Sequence, residues 1–171
     1  MSTPQIETGD VFSVPIENAR FGIGQIVARY GKVAYYFAIF DAVAADPASV
    51  DLAQVTQQRL LFLALSLDTK LAAGHWHVLG NQPIREGLPL PAFKEMVGGP
   101  DRIDVVDYSG KRRRRAEPAE VEFLPNRKTV APVRLEKALR AKHGLEPWTE
   151  AYSDLAPNEL ATTKRLFGEL L

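Results

Sequence analysis

Three strand-like stretches follow one another near the start of the chain: Gly9-Asp10-Val11-Phe12-Ser13-Val14-Pro15, the alternating apolar and polar run Phe21 to Tyr30, and the continuous apolar run Val33 to Phe40. Only the polar break Glu17-Asn18-Ala19-Arg20 and the tight Tyr30-Gly31-Lys32 separate them, which leaves no room for crossover helices. The pattern predicts an antiparallel β-meander. Within the second stretch, Phe21, Ile23, Gln25 and Val27 fall on one face, and Gly22, Gly24, Ile26, Ala28 and Tyr30 on the other. A face that begins with two glycines suits a bend or the close approach of another backbone, as at the corner of an SH3-like curled sheet.

Further along, Ala42 to Gln54 is small, acidic and turn-prone, and is expected to be a loop with one helical turn. Periodicity leaves Leu60 to Leu65 open between a core strand and a short buried helix. Strand is favoured, because Asp68 to Gly74 then connects it to the strand-like Trp76-His77-Val78-Leu79. Leu88-Pro89-Leu90-Pro91 lacks two amide donors and is expected to be an extended surface linker, closed by a turn at Gly98-Gly99-Pro100. Ile103 to Tyr108 and Ala119 to Leu124 read as strands flanking Ser109-Gly110 and the basic run. Pro132 suits the first turn of a helix carrying Leu135, Ala138 and Leu139 and stopping at Gly144, with Glu136 and Arg140 spaced as an i,i+4 pair. A second helix is expected from Pro157, presenting Leu160, Phe167, Leu170 and Leu171 on one side. Strands first and helices last predict an α+β fold: a curved antiparallel sheet, SH3-like or barrel-like, with C-terminal α-helices. No repeat or long linker divides the chain, so 1–171 is expected to be a single domain.

With 171 residues, 46% hydrophobic and 25% charged, the composition is that of an ordinary globular domain. The absence of cysteine excludes disulfides, thiolate metal sites and cysteine nucleophiles, and fits a reducing compartment, with cytoplasm expected. The first seven residues show neither a basic nor an apolar signal region, and the longest apolar runs fall well short of a membrane span of about 18 residues. No membrane partner is expected, and nothing in the pattern sets an oligomeric state.

Charge changes the picture more. Twenty-one basic and 21 acidic residues cancel, yet the cancellation is uneven: Lys and Arg against Asp and Glu stand at five to seven in residues 1–70, fourteen to nine in 71–142, and two to five in 143–171. A neutral total argues against a dedicated nucleic-acid binder, whose affinity comes largely from phosphate neutralisation. The run Lys111-Arg112-Arg113-Arg114-Arg115 could still contact phosphate, or protect a solvated sheet edge, with Glu117, Glu120 and Glu122 at hand to neutralise it. No aromatic side chain is interleaved to stack on bases.

Catalytic and cofactor signatures are lacking. His75 and His77 would share a strand face, but the remaining histidine, His143, ends a helix, so no metal site is expected. Phe21-Gly22-Ile23-Gly24 lacks the third glycine and the following helix of a nucleotide fingerprint. Ser13, Ser66 and Ser109 lie in no nucleophile-elbow context. No catalytic residue, cofactor or metal ligand is assigned, and the protein is not expected to be an enzyme.

Taken together, Gly9-Asp10-Val11-Phe12 with Pro15, the Phe21-to-Val27 strand with its glycines, Phe40-Asp41, Trp76 with Gly80, Leu88-Pro89-Leu90-Pro91 and Leu135-Glu136-Lys137-Ala138-Leu139 resemble the immunity protein 26 family of bacterial polymorphic toxin systems. The resemblance spans roughly Gly9 to Tyr152; the basic run and the segment after Ala156 lie outside its pattern. It implies a protein that binds and neutralises a cognate toxin encoded nearby, by direct stoichiometric association. On that reading the partner surface is expected to include Tyr108, Lys111, Arg112, Arg113, Arg114 and Arg115, because adjacent cations repel one another and an acidic partner would relieve them. The alternative is a nucleic-acid-binding module that uses Lys111 to Arg115.

Overall fold

The computed structural model describes residues 5–168. By their internal contacts they form two compact units, one built from 5–86 and 129–156, the other from 87–128 and 157–168.

The first unit holds the meander. Strands β1 (Asp10–Glu17), β2 (Arg20–Tyr30), β3 (Ala34–Ala44), β4 (Leu60–Leu67) and β5 (His77–Asn81) form one antiparallel sheet in the order β4-β3-β2-β1-β5. The sheet is open, and register shifts in each of its four pairings bend the strands. The segment 42–54, expected as a loop, first continues β3 to Ala44, then makes a 3-10 turn at Pro47–Ser49 and α1 (Leu52–Val55). Asp46 and Asp51 nucleate these turns by accepting hydrogen bonds from Ala48 N and Gln54 N. Between β4 and β5 lies α2 (Thr69–Ala72).

One face of this sheet packs on α4 (Pro132–Lys142), whose Leu135 and Leu139 are fully buried with Phe12, Ile26, Phe37 and Trp76. The bare face of β2 is what admits them. A Cβ at Gly22 would lie 2.9 Å from Leu139 Cδ1, and one at Gly24 would lie 2.5 Å from Phe12 Cζ and 2.8 Å from the Ala38 carbonyl oxygen. Trp76 stacks on Phe12 with centroids 5.4 Å apart, and its Nε1 donates to Glu136 Oε2 at 2.9 Å. Glu136 therefore faces Trp76 and Lys70, at 3.6 Å, and the expected Glu136–Arg140 pair is replaced by Arg140 with Glu146, also at 3.6 Å. Buried Gln25 donates to the Gly9 and Gln82 carbonyls, while Asp10 accepts from Glu7 N and Asn81 Nδ2. The Gly9-Asp10 pair is thus a pin that fixes the entry to β1, with Gly9 at φ 99°. Val130 N donates to Leu65 O and Ser66 Oγ donates to Val130 O, which covers part of the β4 edge.

The second unit is a three-stranded antiparallel sheet, β6 (Phe93–Met96), β7 (Ile103–Val106) and β8 (Arg113–Arg115), with α3 (Pro118–Phe123) and α5 (Thr163–Phe167). Ala92, Val105, Leu124 and Ala161 form its core.

Several expectations are corrected here. Ala119 to Leu124 is not a strand: Pro118 occupies the first helical turn, and the Glu120 carboxylate accepts from Glu117 N at 2.8 Å, a helix-start arrangement that outweighs the alternating pattern. The strand that follows β7 in the chain and pairs with it is part of the basic run itself, Arg113–Arg115. Leu88-Pro89-Leu90-Pro91 is not an extended surface linker: Leu90 N donates to Leu88 O at 2.8 Å in a tight turn, Leu88 and Leu90 are buried, and the Leu90 carbonyl accepts from Thr163 N at 2.8 Å. The last helix starts at Thr163, not near Pro157, capped by Thr162, whose hydroxyl accepts from Arg165 N; Leu160 lies outside it and is exposed. Leu170 and Leu171 lie outside the described residues.

Candidate functional site: the basic strand

The basic run is placed by the turn before it. Asp107 is buried, and its carboxylate accepts hydrogen bonds from Ser109 Oγ and from the backbone amides of Lys111 and Arg112, while Gly110 takes φ 78°. This Asx-type turn sends the chain back along β7, so that Val106, Val105 and Asp104 pair with Arg113, Arg114 and Arg115. Strand alternation then divides five like charges between two faces.

Arg112 and Arg114 face inward, toward α3 and α5. Arg112 Nη2 donates to the Phe167 carbonyl at 2.7 Å, and its guanidinium lies 5.0 Å from the Phe167 ring centroid. Arg114 makes a bidentate pair with Glu120 at 2.7 and 2.6 Å, donates to the Leu166 carbonyl at 3.2 Å and also lies over Phe167. Glu120 is only 8% exposed. The Arg114 guanidinium holds its carboxyl well below the ordinary carboxylate range, at about 2, and the same hydrogen bond raises Arg114 in turn. These two arginines tie the end of α5 to the sheet. Of the three glutamates expected to neutralise the run, Glu120 is the one that closes an ion pair with it; Glu122 is exposed on α3.

Arg113 and Arg115 face the other way. Arg113 reaches Glu95 at 3.5 Å and Asp104 at 3.6 Å, and Arg115 Nη2 donates to the Asp101 carbonyl at 3.5 Å. Two arginines that sequence reasoning did not single out join them: Arg102 approaches Asp104 at 3.5 Å and Arg127 approaches Glu95 at 3.5 Å. Their signal was weak, since they lie outside the basic run and meet it only because β6, β7 and β8 are neighbours. Lys111 is exposed at the turn, and Tyr108 is half-buried with its backbone N donating to Thr163 Oγ1 at 2.9 Å.

The remaining candidates are structural. His75 and His77 are exposed on either side of buried Trp76, and among the described residues no group of His, Asp and Glu is arranged to hold a metal ion. Phe21-Gly22-Ile23-Gly24 lies within β2, and Ser109 supports the Asp107 turn. No helix among the described residues is long and apolar enough to cross a membrane.

A curled antiparallel sheet backed by α4, together with a smaller sheet that ends in an arginine-rich strand, defines an α+β protein whose most distinctive surface chemistry is a band of charge. A family model described as Immunity protein 26 matches residues 7–99, and the chain belongs to that family. No curated protein and no solved structure matches it.

Proposed function

We propose that this protein protects its producing cell by binding a toxin encoded beside it, one molecule to one, without turnover or cofactor, in the cytoplasm. The observation that carries this reading is the family match over residues 7–99, which covers the five-stranded sheet and β6. The chemistry of the described residues agrees with a binder: charged side chains lie on a strand at the surface, Ser66 and Ser109 hold a sheet edge and a turn, and His75 and His77 face solvent. The partner surface includes the segment from Tyr108 to Arg115, whose exposed members, Lys111, Arg113 and Arg115, are placed to meet acidic groups.

Co-expression with the neighbouring toxin tests the reading. Growth is expected to recover only when this protein reaches at least equimolar amounts, and the two are expected to co-purify. Rescue at far lower amounts, or rescue that requires an added cofactor, overturns the stoichiometric mechanism in favour of an enzymatic one.

A further inference from the structure

We infer that the partner-binding element is one face of the basic strand extended by two arginines from neighbouring elements, namely Arg102, Arg113, Arg115 and Arg127, and that it accepts an acidic protein segment. This deepens the toxin-binding reading and rests on it.

The contrast between the two faces of β8 carries the inference. Inside, the Arg114–Glu120 pair is closed at 2.6–2.7 Å in bidentate geometry, and Arg112 is committed to the Phe167 carbonyl and ring. Outside, contacts run in one connected chain, Arg127 to Glu95 to Arg113 to Asp104 to Arg102, and each is 3.5–3.6 Å long. These are ion-pair distances beyond the usual length of a charge-assisted hydrogen bond. Three guanidinium groups share two carboxylates in this chain. Arg115, paired with Asp104 in the strand register, adds a fourth cation to the same face. The arginines stay accessible, with side-chain exposures of 61% for Arg102 and 42% for Arg113. The guanidinium forks of Arg102 and Arg113, held loosely by shared carboxylates, can turn to an incoming carboxylate, and the alternation of sign fixes the register in which it lands.

The same alternation favours a protein over a nucleic acid. A phosphate backbone brings continuous negative charge, and Glu95, 38% exposed between Arg113 and Arg127, would stand against it. A protein segment can set its own carboxylates against Arg102, Arg113, Arg115 and Arg127 and a cation against Glu95.

The test measures association of the full chain with the neighbouring toxin at low and at physiological salt. Replacing Arg102, Arg113, Arg115 and Arg127 together with alanine is expected to slow association about tenfold at low salt and to flatten its salt dependence. The corresponding four-lysine variant keeps the charge but not the forks, and is expected to restore the association rate while dissociating faster. Circular dichroism establishes that each variant is folded. Wild-type association kinetics in the folded alanine variant overturn the inference and leave toxin binding standing. Failure of the wild-type chain to bind the toxin overturns both. Micromolar, steeply salt-dependent binding of duplex DNA that the alanine variant loses assigns the face to phosphate and likewise overturns it.

Discussion

At the scale of single residues, close approach decides what each position tolerates. Gly24 sits where a Cβ would strike both the Phe12 ring and the Ala38 carbonyl, neither of which can swing away as the tip of a flexible side chain could. Gly24→Ala is therefore expected to destabilise the protein by about 2–3 kcal/mol through overpacking, read as a lower denaturant midpoint at unchanged m-value. Glu120 makes a different kind of prediction. Its folded-state carboxyl lies near 2, below the ordinary 4.5, because Arg114 stabilises the charged form. The stability it contributes is fully present above about pH 4.5 and is lost as pH falls toward about 2. Glu120→Gln is expected to flatten the acid side of the stability–pH curve across that window, in thermal melts at constant ionic strength; an unchanged slope would show that the pair does not hold in solution.

At the scale of elements, the basic run shows how a strand gives two tasks to one stretch of sequence. Because alternation sends Arg114 inward and Arg113 outward, single alanine replacements should separate the tasks. Arg114→Ala uncouples buried Glu120 and is expected to cost about 1–2 kcal/mol, whereas Arg113→Ala is expected to cost less, about 0.5–1 kcal/mol, since both its ion pairs are long and buried Asp104 keeps Arg102 at 3.5 Å. Chemical denaturation of the two variants side by side checks both values.

The meander was legible in the sequence because three apolar-rich, strand-like stretches are joined by turns too short for a crossover helix, and α4 because Pro132 and Gly144 mark its two ends. The second unit was less so. Glu120 and Glu122 looked like one face of a strand, and the signal that outweighed them was Glu117-Pro118, a helix start with Glu120 three residues on from its cap. β6 went unseen because it is four residues long and follows Pro89 and Pro91 closely, and Leu88-Pro91 was misplaced at the surface because missing donors say nothing about where the leucines go. Of the site, the cations were visible as a run. Their division between two faces was not, because it depends on which residues of the run pair with β7, and the Asp107 turn sets that register.

At the scale of the whole molecule, the path of the chain matters. Residues 129–156 return to the first unit after 87–128 have built most of the second, and they bring the α4 side chains Leu135 and Leu139 to the sheet. If 87–128 were unfolded, closing that loop to seat α4 would cost about 3 kcal/mol. We propose on this ground that residues 1–171 unfold as one cooperative domain, so that calorimetry shows a single transition whose calorimetric and van't Hoff enthalpies agree. Two resolved transitions would instead make the units independent.

The central claim is that this member of the immunity protein 26 family acts by occupying its toxin. Titrating the purified toxin's activity with the purified protein measures this most directly, at concentrations well above the dissociation constant. The account predicts a linear fall in activity that reaches zero at one equivalent, with no dependence on time or added cofactor. Complete inactivation at a small fraction of an equivalent, progressing with time, would contradict it.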